Sequence, residues 1–163
     1  MVQLRLKNAD ARTLVDVGRA LVAALPVPVI VNDRADVALA CGAAGVHVGA
    51  DDVPVAALRR VLPPPFVIGA SVRADTAGAD YVGIGPVFST SSKSDAPAAI
   101  GVDGFVALRA RSAAPAVAIG GITAERVAEL RTSGAAGVAV IAGVFGTADP
   151  EAAARAIRAA WRR

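Results

Sequence analysis

Short apolar runs of strand length alternate with apolar positions at helical spacing along nearly all of this 163-residue chain. The first run is QLRLK, residues 3–7. Strand side chains alternate sides, so Gln3, Arg5 and Lys7 share one face and Val2, Leu4 and Leu6 the other. Two cations and an amide in alternation are ordinarily a strand's wet side; the alternative is the wall of a polar site. Asp10 then stands where a cap belongs, ahead of Leu14, Val17, Leu21 and Leu25 at helical spacing, with Pro26 as a stop. Residues 28–33 (PVIVND) read as a buried strand, followed by a short helix from about Asp36. Residues 45–50 (GVHVGA) form the next strand, and a helix spans Val55 to Leu62 with Pro54 at its start. Strands at 66–72 and 81–88 follow, then a Ser/Thr-rich loop and a helix over Val102–Arg111. The strand at 116–122 leads into a helix with Thr123 as its N-cap and Gly134 just past its end. A last strand at 137–143 precedes a helix opened by Asp149-Pro150, a cap followed by proline at the first helical position.

About seven strands in strand–helix alternation predict a parallel sheet with helices outside it. Two architectures have that rhythm, the doubly wound sheet and the TIM (β/α)8 barrel. No GxGxxG opens the first strand–helix turn, which weakens the dinucleotide-binding alternative. Polar residues gather at strand ends, where barrels build their sites, so an α/β chain of the TIM type is expected, as a single domain over 1–163. One crossover is too short. Only residues 73–80 (RADTAGAD) separate two predicted strands, against the ~10–12 residues of a crossover with its helix, so that helix should be absent or reduced to a turn.

Composition narrows the class. At 55% hydrophobic residues but only 4% aromatic, the core must be built from Val, Leu, Ile and Ala, as in buried parallel sheets. The net charge of +3 is spread along the chain, with no stripe for nucleic acid and no polybasic membrane anchor. No apolar run nears the ~18 residues of a membrane span and no leader precedes the first strand, which predicts a soluble cytoplasmic protein. The single Cys41 excludes an internal disulfide and a cysteine cluster for zinc, and on its Ala-rich helix it reads as a small buried residue.

The strand-end residues make a chemically coherent set. Arg5, Lys7 and Lys93 are cations, Asp33 and Asp52 carboxylates, and Ser71, Thr90 and Ser92 hydroxyls. The last two strands finish in GGI and IAG, whose small residues let backbone amides approach an anion. Cations beside paired carboxylates suit a magnesium-bound polyphosphate, and the Gly-rich ends suit a second phosphate. Each residue also has a plainer role. Asn32-Asp33 is common turn chemistry, Asp51-Asp52 can serve a helix N-terminus, Lys93 can be a solvated charge, and Gly120-Gly121 can reflect tight packing. His47 sits among apolar neighbours and reads as a packed residue.

In order along the chain, QLRLK, VNDRADVALACGAAGVHVGADDVP, IGASV, DYVGIGPVFSTSSK, AIGGIT and GVAVIAGVF resemble the thiamine phosphate synthase family, with thiazole tautomerase as its near relative. The resemblance implies a (β/α)8 barrel that joins a hydroxymethylpyrimidine pyrophosphate to a thiazole phosphate and releases pyrophosphate. It implies a pyrophosphate site of Gln3, Arg5, Lys7, Asn32, Ser71 and Lys93, with Arg5, Ser71 and Lys93 in the catalytic role. Asp33 and Asp52 would hold Mg2+. Thr90 and Ser92 would hold the substrates, and Gly120, Gly121, Ile141 and Ala142 the thiazole phosphate. Family chemistry is dissociative, with a pyrimidine cation captured by the thiazole nitrogen.

The chain also departs from the family pattern. Members usually carry a further strand and helix before the QLR block, where this chain starts. That predicts an incomplete barrel with open edges at the first and last strands, and self-association through them. Arg73 stands where the family often has His, Ala50 where it usually has Gln, and Ala142 where it has Ser. Arg73 is expected to reach the pyrophosphate or to cover the short crossover. Two alternatives to the synthase are a tautomerase-like isomerase and a non-catalytic phosphate-binding remnant. Asp33, Asp52 and the QLRLK set favour the synthase, and the absent His argues against a His-dependent tautomerase.

Overall fold

The computed structural model describes residues 1–90 and 97–162. They fall into two compact units, Met1–Tyr81 and Val82–Arg163. The first unit runs β1 (Val2–Leu4), α1 (Ala11–Ala24), β2 (Val29–Asn32), α2 (Ala35–Cys41), β3 (Gly45–Val48), α3 (Val55–Val61) and β4 (Val67–Ser71). Its strands are ordered β1-β2-β3-β4, every pairing parallel, with Leu4 opposite Val31, Val31 opposite Val46 and Val46 opposite Ile68. Those residues belong to the face that packs on the helices. Leu4 and Val31 meet Leu14, Val37, Ala38 and Cys41, while Val46, Val48, Ile68 and Ala70 meet Val55, Leu58 and Leu62. The core is thus aliphatic, as the scarcity of aromatics requires. Asp10 caps α1, its Oδ1 accepting from the Thr13 amide at 2.9 Å. Gly18 lets α1 approach α2: a Cβ there would lie 2.7 Å from Cys41 Sγ.

The short crossover contains no helix. Residues 72–80 form turns, and Asp80 binds the chain back to the sheet. Its Oδ2 accepts from the Ile68 amide at 2.7 Å and pairs with Arg59 Nη2 at 2.6 Å. Arg59 also donates to the carbonyls of Leu62, Phe66 and Gly78. One guanidinium therefore ties α3, the approach to β4 and the turn together.

The second unit carries β5 (Tyr81–Ile84, beginning at the last residue of the first unit), α4 (Gly101–Arg109), β6 (Ala116–Ile119), α5 (Val127–Thr132), β7 (Gly137–Ala139), α6 (Ala142–Phe145) and α7 (Pro150–Arg162). Its strand order is β5-β6-β7, again parallel. Val82, Ile84, Phe105, Ala116, Ala118, Val127 and Leu130 are buried here, and α7 packs on α5 and α6. Asp149 caps α7 through the Ala152 amide at 2.9 Å. Parallel strands in chain order, alternating with helices, give the α/β TIM-type fold rather than a doubly wound sheet. No helix among the described residues is long and apolar enough to cross a membrane.

Several elements differ from the pattern-based expectation. β1 stops at Leu4, short of Lys7: its ladder with β2 runs only to Leu4 opposite Val31. β5 stops at Ile84 because Pro86 has no N–H to pair. Thr123 does not cap α5: its carbonyl accepts from the Arg126 amide in a turn, and the helix starts only at Val127. The last apolar run divides, ending as a strand at Ala139 and coiling into α6 from Ala142.

Candidate functional site

Every second residue of the first unit's sheet points away from the helices, and that face carries the polar chemistry. Asn32 is opposite His47, and His47 is opposite Gly69, so Asn32, His47 and Ser71 stand on one face across three strands. Gln3 joins them from β1, since it pairs with Ile30, two residues before Asn32 on the same strand. Of the basic residues of QLRLK, Arg5 is half-buried just past the end of β1 and Lys7 is exposed.

Directly after Asn32 the backbone makes a γ-turn. The Arg34 amide donates to the Asn32 carbonyl at 2.8 Å, with Asp33 at its centre at φ 65°, among the described residues the one position other than glycine with positive φ. This is the strained form of the turn, and strain of this kind gathers at functional sites. The Asp33 amide donates to the His47 carbonyl at 2.8 Å, which holds the turn against β3. Asp52 is fixed from the other side, its Oδ2 accepting from the Gly49 amide at 2.7 Å. Neither acidic residue of the 51–52 pair caps α3, whose N-cap is Pro54 without a side-chain bond. The two carboxyls meet. Burial first, then a hydrogen bond and repulsion from Asp52, push the Asp33 carboxyl above its ordinary value, while Arg5 and Lys7 pull it down. Two acids held in contact with two cations nearby form a site that takes either a proton or a metal cation.

His47 is more than packing. Its Nδ1 lies 2.9 Å from the Tyr81 hydroxyl and its Nε2 3.2 Å from Ser71 Oγ. The Tyr81 ring sits over Gly69, where any Cβ would collide with it. Sequence reasoning missed Tyr81 and misjudged His47. The available signal was period-two spacing, since the register sets position 47 beside Asn32 on the polar face. Arg73 is exposed in the turn after β4, whose Ala74 amide bonds the Ser71 carbonyl at 2.8 Å.

In the second unit Gly120 and Gly121 both have positive φ, 98° and 62°. A Cβ on Gly120 would lie 2.5 Å from Pro86 Cβ, and one on Gly121 would strike the Ser89 carbonyl. Backbone conformation and close approach each demand glycine there. Arg126 locks the corner, donating to the Gly121 carbonyl at 2.7 Å with its guanidinium carbon 4.7 Å from the Phe88 ring centre. Ile141 and Ala142 open α6, where the first amides of a helix have no partner within it. Thr90 is half-buried in the loop after β5. Ser92 and Lys93 lie outside the described residues.

Residues 1–144 match the family model described as thiamine monophosphate synthase. The chain belongs to that family. It is 47% identical to the thiamine-phosphate synthase of Methanoculleus marisnigri, covering 97% of this chain and 80% of the relative. With the protein of that name from Syntrophomonas wolfei identity is 41%, covering 100% and 83%. Among solved structures, the thiamine phosphate pyrophosphorylase of Pyrococcus furiosus superposes with a TM-score of 0.84 at 35% identity, over 98% of this chain and 81% of that one.

Proposed function

We propose that this member of the thiamine monophosphate synthase family transfers the hydroxymethylpyrimidine group from its pyrophosphate ester to the ring nitrogen of a thiazole phosphate, giving thiamine phosphate and pyrophosphate. The observation that carries the reading is the contact of Asp33 with Asp52 beside Arg5 and Lys7. As a biosynthetic transferase working on phosphorylated intermediates, it would act in the cytoplasm.

The donor set fits magnesium. Among the described residues no group of three or more His, Cys, Asp or Glu is placed to hold a metal ion, so a cation would rest on the two carboxylates and on ligands from outside the chain. Mg2+ is commonly held that way, by one or two carboxylates together with water and substrate phosphate. Asp33 and Asp52 would hold it. When bound, it supplies charge neutralisation of the departing pyrophosphate.

The chain's own residues do the rest. Arg5 and Lys7 place fixed positive charge where the leaving group accumulates negative charge, and Arg5 is suited to paired phosphate oxygens. Gln3, Asn32 and the Ser71 hydroxyl orient the pyrophosphate, with Lys93 as a further cation. The bond between the pyrimidine methylene and the ester oxygen breaks, its electron pair leaving with pyrophosphate. The thiazole nitrogen lone pair then forms the new C–N bond to the methylene. Thr90 and Ser92 hold the substrates, and the amides of Gly120 or Gly121, Ile141 and Ala142 receive the thiazole phosphate. No nucleophile–base pair is required, and electrostatic stabilisation of the leaving group is the main term.

The test is product formation from the two substrates with magnesium. Synthesis by the wild type that chelator abolishes, and that Asp52→Ala nearly abolishes, supports the reading; undiminished synthesis in excess chelator overturns the metal's part in it.

A further inference from the structure

His47 is the chain's one histidine, and both its ring nitrogens face hydroxyls. A neutral imidazole donates from one nitrogen and accepts at the other, so the neighbours decide which. Tyr81 is the first constraint. Burial pushes its phenol up to about 12, so it keeps its proton and can send it in one direction only. A phenol is a stronger hydrogen-bond donor, and a weaker acceptor, than an aliphatic hydroxyl such as that of serine. Of the two hydroxyls facing the ring, that of Tyr81 is therefore the donor, directed at His47 Nδ1, 2.9 Å away. The ring proton then belongs on Nε2 and donates to Ser71 Oγ at 3.2 Å. A serine oxygen that accepts there retains its own proton for a different acceptor.

The backbone holds this chain of groups in place. His47 pairs with Gly69 in register, and Gly69 is the one residue type that leaves room for the Tyr81 ring. The two rings are 5.5 Å apart, tilted by 33°. The His47 carbonyl receives the Asp33 amide, so the residue that orients Ser71 also braces the turn beneath the carboxylate pair.

We propose that His47 and Tyr81 are positioning residues for the transfer: hydrogen bonds running one way from Tyr81 through His47 to Ser71 hold His47 as its Nε2–H tautomer and preset the Ser71 hydroxyl as a donor to pyrophosphate. This rests on the proposed contact of Ser71 with that group. A free serine hydroxyl donates or accepts as its rotor turns. One already committed to donating meets a polyanion without reorganising, which is how fixed donors favour departing negative charge.

The experiment uses the full chain, uniformly labelled with 15N. A single histidine yields one set of ring nitrogen signals. The expected result at mildly alkaline pH is the neutral Nε2–H tautomer in the wild type, with the Nδ1–H form appearing in Tyr81→Phe, which loses the hydroxyl but keeps the ring. Kinetically, Tyr81→Phe should lower kcat by about fivefold to tenfold and weaken inhibition by inorganic pyrophosphate to a similar degree, the scale of one hydrogen bond, with KM for the thiazole phosphate unchanged. His47→Gln, which retains an amide N–H toward Ser71, should keep more activity than His47→Leu. In a Ser71→Ala background, Tyr81→Phe should cost nothing further. An Nδ1–H or imidazolium ring in the wild type overturns the proposal, as does a Tyr81→Phe protein with unchanged tautomer and unchanged pyrophosphate inhibition. The tautomer is read without turnover. A protein that makes no thiamine phosphate would therefore refute the functional reading while the ring signals still decide this one.

Discussion

Replacing Asp33 by Asn and, separately, by Ala divides the cost of a backbone conformation from the work of a carboxylate. Asp33 sits at φ 65°, a conformation Asn tolerates nearly as well as Asp but Ala does not. For a residue with an ordinary Cβ the left-handed conformation costs roughly 1–2 kcal/mol. The carboxyl itself is held above its unfolded value of 3.8 by burial and by Asp52. The sign follows from that direction. A group whose folded value is raised favours folding most below its unfolded value, and that contribution is lost as pH rises through the folded one. At neutral pH the ionised Asp33 therefore opposes folding, and Asp33→Asn should melt at the wild-type temperature or above it. Asp33→Ala should be less stable than Asp33→Asn by about 1–2 kcal/mol, the left-handed cost. Both should lose thiamine phosphate synthesis by ~100-fold or more, since a metal-held leaving group is stabilised by several kcal/mol. Thermal or urea unfolding gives the first difference and product formation the second. Equal stability of the Ala and Asn proteins would refute the backbone argument, and near-wild-type synthesis by Asp33→Asn would refute the carboxylate's role.

Four further outcomes follow from the same structure. On the proposed metal role of Asp33, a proton competes with magnesium there, so apparent magnesium affinity in calorimetric titrations should fall as pH drops through the raised Asp33 value, and a flat profile would count against the pair as the site. Gly18→Ala forces a methyl against Cys41 Sγ and should destabilise by ~1–3 kcal/mol, part of it regained by adding Cys41→Ala, as read from urea midpoints. Arg59→Ala leaves Asp80 and three carbonyls without their shared donor and should cost about 1–3 kcal/mol in urea unfolding, the scale for a charged hydrogen bond. Gly121→Ala meets both a left-handed φ and the Ser89 carbonyl, so it should lower the melting temperature and raise KM for the thiazole phosphate more than KM for the pyrimidine substrate.

What could be read from residue order was local or periodic. Alternation of apolar runs with helical spacing identified the seven strands of the described residues, because burying one face of each element imposes that period whatever the partners are. Asp10 and Asp149 were legible as caps because a cap bonds an amide within its own turn. The eight residues from 73 to 80 announced a crossover without a helix, since chain length alone forbids one. Ordered blocks from QLRLK to GVAVIAG carried the family. The rest depended on partners distant in sequence. β1 ends with the ladder pair Leu4–Val31, so its length belongs to the pairing and not to QLRLK. His47 looked apolar by its neighbours in the chain, yet its own side chain faces Tyr81, 34 positions away, and Ser71, 24 away. Gly69 gave no hint that it makes room for a ring from another strand. Asp33 and Asp52 could be listed as carboxylates from composition, but that they touch, and that one therefore holds its proton more tightly, arises only when two strand ends are brought together by parallel register. Periodicity reports which face a residue belongs to; which groups share that face, and in what protonation state, is set by tertiary pairing.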